Sequence, residues 1–290
     1  MTPSGVRQRT IARAVECTGS GLHLGERCKV RLLPAPENTG IVFVRTDLPG
    51  RPRIAATAEN RIAQPRRTAI MCGEAEVHTV EHLISAVVGT GIDNLLVEID
   101  GPEAPGLDGS AVRYVELLRE AGVAEQARPR REIVLREPIW LEGRNGSSIA
   151  AEPWSDGLLL SYTLDYPPPM LQNQVVELVV TDESYERELA PARTFVMKEE
   201  AELLQQLGMG AGANFDNTIV YDMDGPMQGV ALRFKDEAAR HKLLDLVGDL
   251  ALLGARLRAR VTAVKSGHEL NLELANAILA LEAREAAPRP

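Results

Sequence analysis

Aromatic residues make up only 4% of the 290-residue chain, so its core has to be built from Leu, Val, Ile and Ala. Cysteine is as scarce. Cys17, Cys28 and Cys72 are too few and too scattered for a disulfide framework or a CxxC metal site, and they read as reduced thiols of a cytoplasmic protein. No apolar run reaches the ~18 residues of a membrane span. Residues 1–14 carry Arg7, Arg9 and Arg13 with no apolar stretch behind them, which is not the pattern of a signal peptide. Positive charge is in deficit: 32 Lys and Arg against 41 Asp and Glu give a net charge of −9. Such a chain repels phosphate backbones, so a general nucleic-acid binder is excluded, while a local basic pocket for one small phosphorylated ligand remains open. What is present is ordinary for a globular protein, 44% apolar and 25% charged, which rules out a disordered chain.

A single core stops growing at about 250–300 residues, so two domains are expected, 1–127 and 132–285. Alternating, β-branched segments predict strands at 6–16, 27–33 and 41–46. The Pro- and Arg-rich stretch 47–66 reads as a long loop or small insert. From Thr79 the period changes: Val80, Leu83, Ile84, Val87 and Val88 fall on one helical face, and Gly89 and Gly91 end it. A buried strand follows at 95–99, a structured loop at 101–109 and a helix at 111–121. Arg128-Pro-Arg-Arg131 reads as an exposed linker. The second half runs through strands at 132–141, 148–151 and 158–165, a loop at 167–174, a strand at 175–181, helices at 198–207 and 237–253, a strand at 257–264 and a helix at 269–284. The tail from 286 should fray. His82 precedes Gly91, and Asp245 precedes Gly254, by the same interval, each time where a helix leads through glycine into an apolar strand. This predicts two copies of one α+β unit, with a site in the cleft between them.

Chemistry is suggested by three of the five histidines. His241 and Asp245 are four apart and Asp249 four further on, so all three lie along one helical stripe. An imidazole and a carboxylate one turn apart suit a divalent metal such as zinc; they also make an ordinary exposed ion pair, and both readings stand at this point. A hydrolytic metal site needs three protein ligands and an open position, and His82 would be the third. Its neighbour Glu81 then has the place of a base, or is simply a first-turn carboxylate favoured by the helix dipole. His268, on the Lys265-Ser-Gly-His268 loop, reads as a proton donor raised in pKa by Asp249, or as a helix cap. Lys242 suits a phosphate or a developing negative charge, Thr194 and Phe195 offer a hydroxyl and a ring after a strand, His23 is ambiguous, and His78 reads as solvated. A metal phosphohydrolase and a metal-stabilised sugar-nucleotide binder are the rival classes.

Taken together, Thr79-Val-Glu-His82, Gly91-Ile-Asp-Asn94, Leu107-Asp-Gly-Ser110, Ala192-Arg-Thr-Phe195, Leu232-Arg-Phe234, Arg240-His-Lys-Leu-Leu-Asp245, Gly248-Asp-Leu250 and Lys265-Ser-Gly-His268 resemble, in the same order, the UDP-3-O-acyl-N-acetylglucosamine deacetylases, bacterial zinc amidases of lipid A synthesis. The resemblance runs from Gln8 to the last helix. It implies an α+β fold of two similar sheet-and-helix domains, layered with helices inward, each with an insert, at about 47–66 and 190–221. It implies one zinc ion on His82, His241 and Asp245, Glu81 as general base, His268 as acid or electrostatic partner oriented by Asp249, and Thr194 as oxyanion donor. Lys242 and Phe195 would contact diphosphate and sugar, and Tyr162 would stack on uracil. Met197, Leu203, Leu204, Leu207 and Met209 would line an acyl passage. The implied partner is a UDP-linked acylated sugar, handled by a cytoplasmic monomer in a bacterium. Two positions depart from the family pattern: Cys72 stands one place late after Arg67-Thr-Ala-Ile-Met71, and Pro105-Gly-Leu-Asp108 replaces a more usual Pro-Ile-Met/Leu-Asp. Both bear on pocket shape.

Overall fold

The computed structural model describes residues 5–166 and 171–286. Part of the expected loop (167–170) and of the expected frayed tail (287–290) lies outside the described residues. In chain order the first half contains β1 (Arg7–Ile11), β2 (Val15–Ser20), β3 (Arg27–Pro34), β4 (Ile41–Arg45), β5 (Arg53–Ala55), β6 (Arg61–Ile62), β7 (Ala69–Cys72), β8 (Ala75–His78), α1 (Glu81–Gly89), β9 (Leu95–Ile99) and α2 (Val112–Ala121). The second half contains β10 (Val123–Pro129), β11 (Glu132–Val134), β12 (Ile139–Glu142), β13 (Ser148–Glu152), β14 (Leu158–Leu164), β15 (Gln174–Val180), α3 (Asp182–Ser184), β16 (Phe195–Met197), α4 (Lys198–Gln206), β17 (Ile219–Asp222), β18 (Gly225–Pro226), α5 (Glu237–Leu250), β19 (Arg256–Val264) and α6 (His268–Ala286). No helix among the described residues is long and apolar enough to cross a membrane.

Two large mixed sheets share one topology. The first runs β2-β3-β9-β4-β5 and the second β12-β13-β19-β14-β15, with β11 joining β19. In each, the last strand enters the middle, antiparallel to the second strand and parallel to the third. A parallel pairing needs a long crossover, and a helix lies on it each time, α1 before β9 and α5 before β19. Each of these helices leads into its strand through a glycine at positive φ, Gly91 at 79° and Gly254 at 64°, which is the conformation glycine adopts without a Cβ clash. The repeat inferred from the matched interval is thus present in the strand order. Burial follows period: β19 alternates half-buried and buried residues along its whole length, while β4 is buried on both sides.

The apolar cluster is continuous across both halves, from Val30, Phe43 and Leu83 to Leu160, Leu244, Val261 and Ile278. Its centre is the contact of α1 with α5. Gly248 makes that contact close, because a Cβ there would stand 2.4 Å from the Glu81 carbonyl oxygen. The Gly248→Ala substitution is expected to force the two helices apart and lower stability by about 1–3 kcal/mol, the usual cost of overpacking. Urea unfolding measures this; a change below about 0.5 kcal/mol, the scale of a neutral surface substitution, would show that the approach is not tight.

Several boundaries differ from the sequence expectations. The strand at 6–16 is two strands broken at 12–14, and the first pairs with β10 rather than with its neighbour. The expected linker is not free: Arg128 and Pro129 belong to β10, and Arg130 is bound to Asp93 at 2.8 Å. The first insert lies later than 47–66. Arg53–Ala55 is the edge of the first sheet, and the insert is a small sheet of β6, β7 and β8, with strands too short for alternation to register. The strand at 132–141 is β11 and β12, separated by 135–138. In the second half a small sheet of β16, β17 and β18 with α4 covers 195–226, where an insert at about 190–221 is expected. A helical segment at 182–189 was not anticipated; its Tyr185 ring lies where a Cβ on Gly89 would fall.

Candidate active site and metal centre

Thr79 leaves β8 with φ 55°, its hydroxyl donating to Glu103 Oε1 at 2.7 Å, and this turn starts α1 at Glu81. Glu81 and His82 therefore stand in the first turn of α1, against the face of α5 that carries His241, Asp245 and Asp249. None of the last four is solvated: His82, His241, Asp245 and Asp249 are 4%, 2%, 3% and 0% exposed. The surface ion-pair reading of α5 is thereby excluded.

His82, His241 and Asp245 each turn one donor atom to a common point, all within 4.8 Å of one another. Asp245 Oδ1 lies 3.3 Å from His241 Nε2 and 3.8 Å from His82 Nε2, and the two rings meet edge to face. The donor set fits a divalent cation for three reasons. His241 Nδ1 donates to the Ala192 carbonyl at 3.0 Å, which fixes the tautomer and leaves the Nε2 lone pair facing the carboxylate. Burial, reinforced by the neighbouring imidazole, lowers the His82 pKa to about 3, and burial also lowers that of His241, so both rings are neutral donors. Asp245 Oδ1 is buried with no hydrogen-bond partner among the described residues, a costly state for an anionic oxygen. Burial raises the Asp245 pKa, but the imidazoles and the Lys242 ammonium outweigh it and hold the group well below its usual range. Lys242 Nζ donates to Oδ2 at 2.9 Å.

Beside this point lies a second group. Glu81 Oε2 accepts the Thr68 amide at 3.0 Å, and Oε1 lies 3.8 Å from His268 Nε2. Burial raises the Glu81 pKa to about 8, opposed by His268; any bound cation adds to that opposition. His268 Nδ1 donates to Asp249 Oδ2 at 2.9 Å. Burial pulls its pKa down, but Asp249, Glu81 and Asp245 overcome this and raise it to about 9. Asp249 also accepts Asn271 Nδ2 at 2.8 Å and the Thr68 hydroxyl at 2.5 Å. His268 opens α6 and pairs with Asp249.

A cavity of about 1010 Å³ opens over this region, bordered by Thr194, Phe195, Lys242 and His268 and by the cations Arg66, Arg144, Lys198 and Lys265. Asp165, Glu202 and Glu269 border it as well, so cations outnumber carboxylates in the lining of a chain of net charge −9. Thr194 is held on both sides of its backbone, its N–H on the Gly109 carbonyl at 2.8 Å and its C=O on Ile219 N–H at 2.9 Å. Lys242 Nζ stands 5.9 Å over the Phe195 ring. Tyr162 borders the cavity, yet it is 2% exposed and its hydroxyl donates to the Ser266 carbonyl at 2.5 Å, so it also anchors the loop that carries His268. His23 borders the cavity as well, and burial, with Arg67 nearby, lowers its pKa to about 4.

Three lining assignments are corrected. Leu203 and Leu207 are exposed and do not border the cavity; the helix phase turns Ala201, Leu204 and Gln205 inward instead. Met197 packs with Ile219 and Tyr221 in a separate small core. Leu204 and Met209 do border the cavity, as expected. His78 is not solvated: it is 4% exposed, with Nδ1 accepting from Arg67 and Nε2 3.1 Å from Glu76, because it ends an inward-facing strand. Sequence reasoning missed Thr68 and Asn271. Asn271 lies one helical turn beyond His268, a spacing that signals a shared face; Thr68 carries no such local signal.

A family model described as UDP-3-O-acyl N-acetylglycosamine deacetylase matches residues 8–280. The chain is 43% identical to the UDP-3-O-acyl-N-acetylglucosamine deacetylase of Anaeromyxobacter sp. (strain Fw109-5) over 94% of this chain and 88% of the relative. It is 40% identical to that of Actinobacillus pleuropneumoniae serotype 3 (strain JL03) over 96% and 91%. It is 42% identical to that of Nostoc sp. (strain PCC 7120 / SAG 25.82 / UTEX 2576) over 95% and 99%. The chain belongs to the UDP-3-O-acyl-N-acetylglucosamine deacetylase family and is an enzyme, a deacetylase.

Proposed function

We propose that this chain is a zinc-dependent amide hydrolase that removes the N-acetyl group of a UDP-3-O-acyl-N-acetylglucosamine, releasing acetate, in bacterial lipid A biosynthesis. The observation that carries the reading is the convergence of His82, His241 and Asp245 with Glu81 alongside. Zinc on those three donors would polarise the amide carbonyl and lower the pKa of a water towards ~7. Glu81 takes the proton from the attacking water at Oε1, the oxygen that the Thr68 amide leaves free. His268, charged and oriented by Asp249, turns Nε2 towards the reacting centre, where it stabilises the tetrahedral oxyanion and then protonates the departing amine. The Thr194 hydroxyl supplies a further donor; losing one such donor typically costs about 2.7–4 kcal/mol. Lys242 and Phe195 hold diphosphate and sugar, and the second insert receives the acyl chain past Leu204 and Met209; Tyr162, buried and bonded to Ser266, has no free ring face to stack on uracil. The chain works as a cytoplasmic monomer of two sheet-and-helix domains.

The test is acetate release from the acetylated UDP-sugar by the purified full chain. Chelation is expected to abolish it and added zinc to restore it, with the fold unchanged by circular dichroism. Release of phosphate instead of acetate, or turnover indifferent to chelator, would overturn the reading.

A further inference from the structure

Thr68 stands between the end of the β6–β7 turn and β7 and is 1% exposed. It aims two donors at two carboxylates from opposite halves of the chain. Its amide N–H donates to Glu81 Oε2 at 3.0 Å, and its hydroxyl donates to Asp249 Oδ1 at 2.5 Å. The same hydroxyl oxygen lies 3.2 Å from His268 Nδ1. We propose that Thr68 is a positioning residue that sets the Glu81 carboxyl and the His268 ring in register with each other.

The argument follows the oxygens. On Glu81 the amide occupies Oε2, so Oε1, 3.8 Å from His268 Nε2, is the oxygen left for proton transfer. On Asp249 the hydroxyl occupies Oδ1, so His268 Nδ1 and Asn271 Nδ2 share Oδ2 at 2.9 and 2.8 Å. The carboxylate torsion of Asp is soft and roughly two-fold, and three donors spread over both oxygens leave it one orientation. Without the hydroxyl, Asp249 loses the bond that opposes rotation, and the ring that follows it moves relative to Glu81. A misplacement of 1 Å at a reacting group costs ~10²-fold. The inference rests on the proposed roles of Glu81, His268 and Asp249.

The experiment measures kcat, KM and bound zinc for Thr68→Val, Thr68→Ala, Thr68→Ser, Glu81→Gln, Asp249→Asn and the Thr68→Val/Asp249→Asn double variant. Thr68→Val is expected to lower kcat by ~10–100-fold with KM within ~3-fold and zinc content at the wild-type level. Thr68→Ser, which restores the donor, is expected to recover most of that loss. In the Asp249→Asn background the valine is expected to cost far less than in the wild type, since residues acting through one another are not additive. The inference is overturned if Thr68→Val keeps kcat within ~3-fold of wild type, if serine loses as much as valine, or if the two losses multiply in the double variant. Failure of both Thr68→Val and Thr68→Ala to fold, with Thr68→Ser folded, also overturns it in favour of a purely structural role. An active Glu81→Gln variant would instead sink the site assignment itself; an inactive Glu81→Gln beside an unimpaired Thr68→Val sinks the present inference alone.

Discussion

Glu81→Gln is expected to lower kcat by about 10²–10⁴-fold, the range spanned by a positioned general base, while leaving bound zinc and the melting temperature close to wild type. The amide has the shape of the carboxylate and keeps an oxygen for the Thr68 N–H. It is not among the three groups that turn donor atoms to the common point, so the cation has no reason to leave. What glutamine lacks is the capacity to take a proton. Single-turnover measurement of acetate release checks this directly, and near-normal turnover would remove Glu81 from the role of base.

Asp245→Asn is expected to behave differently, losing cation and turnover together. Asp245 contributes the single negative charge of the three-donor set and faces both imidazole Nε2 atoms through an oxygen that has no other partner. Even removing an outer partner of a metal ligand typically costs 10–100-fold in affinity or activity, so loss of a direct donor should exceed about 10²-fold. Metal analysis of dialysed protein, beside the Glu81→Gln variant, separates the two cases: zinc retained without turnover for glutamine at 81, zinc lost for asparagine at 245. An Asp245→Asn variant that binds zinc as the wild type does would break the assignment of the metal centre.

The site was legible unevenly, and for physical reasons. His241, Asp245 and Asp249 share a helical stripe because the period of an α-helix is fixed by its backbone, so their common face follows from spacing. The resemblance, which carries no helix phase, misplaced Leu203 and Leu207. The phase of α4 presents Ala201, Leu204 and Gln205 to the cavity and leaves those two leucines exposed. The first insert was misjudged because strands of two to four residues, such as Arg61–Ile62 and Ala69–Cys72, contain too few alternations to announce themselves. Thr68 was missed for a related reason: its two partners, Glu81 and Asp249, are brought to it by the packing of α1 on α5, and nothing in its own neighbourhood marks it.

The longer helices and strands, the repeat and the shared stripe of His241, Asp245 and Asp249 were written in local spacing, because hydrogen-bonded helices and pleated strands impose their periods within a few residues. Whether those side chains would be wet or dry, charged or neutral, near or apart was decided by tertiary packing. Gly248 lets α5 press against the Glu81 backbone, and that approach buries His82 beside His241 and Asp245. Burial then lowers the pKa of both imidazoles and leaves Asp245 Oδ1 without a donor. Desolvation and Coulomb energies depend on distance through space rather than along the chain, so the charge state of this site belongs to the folded protein and not to any segment of its sequence.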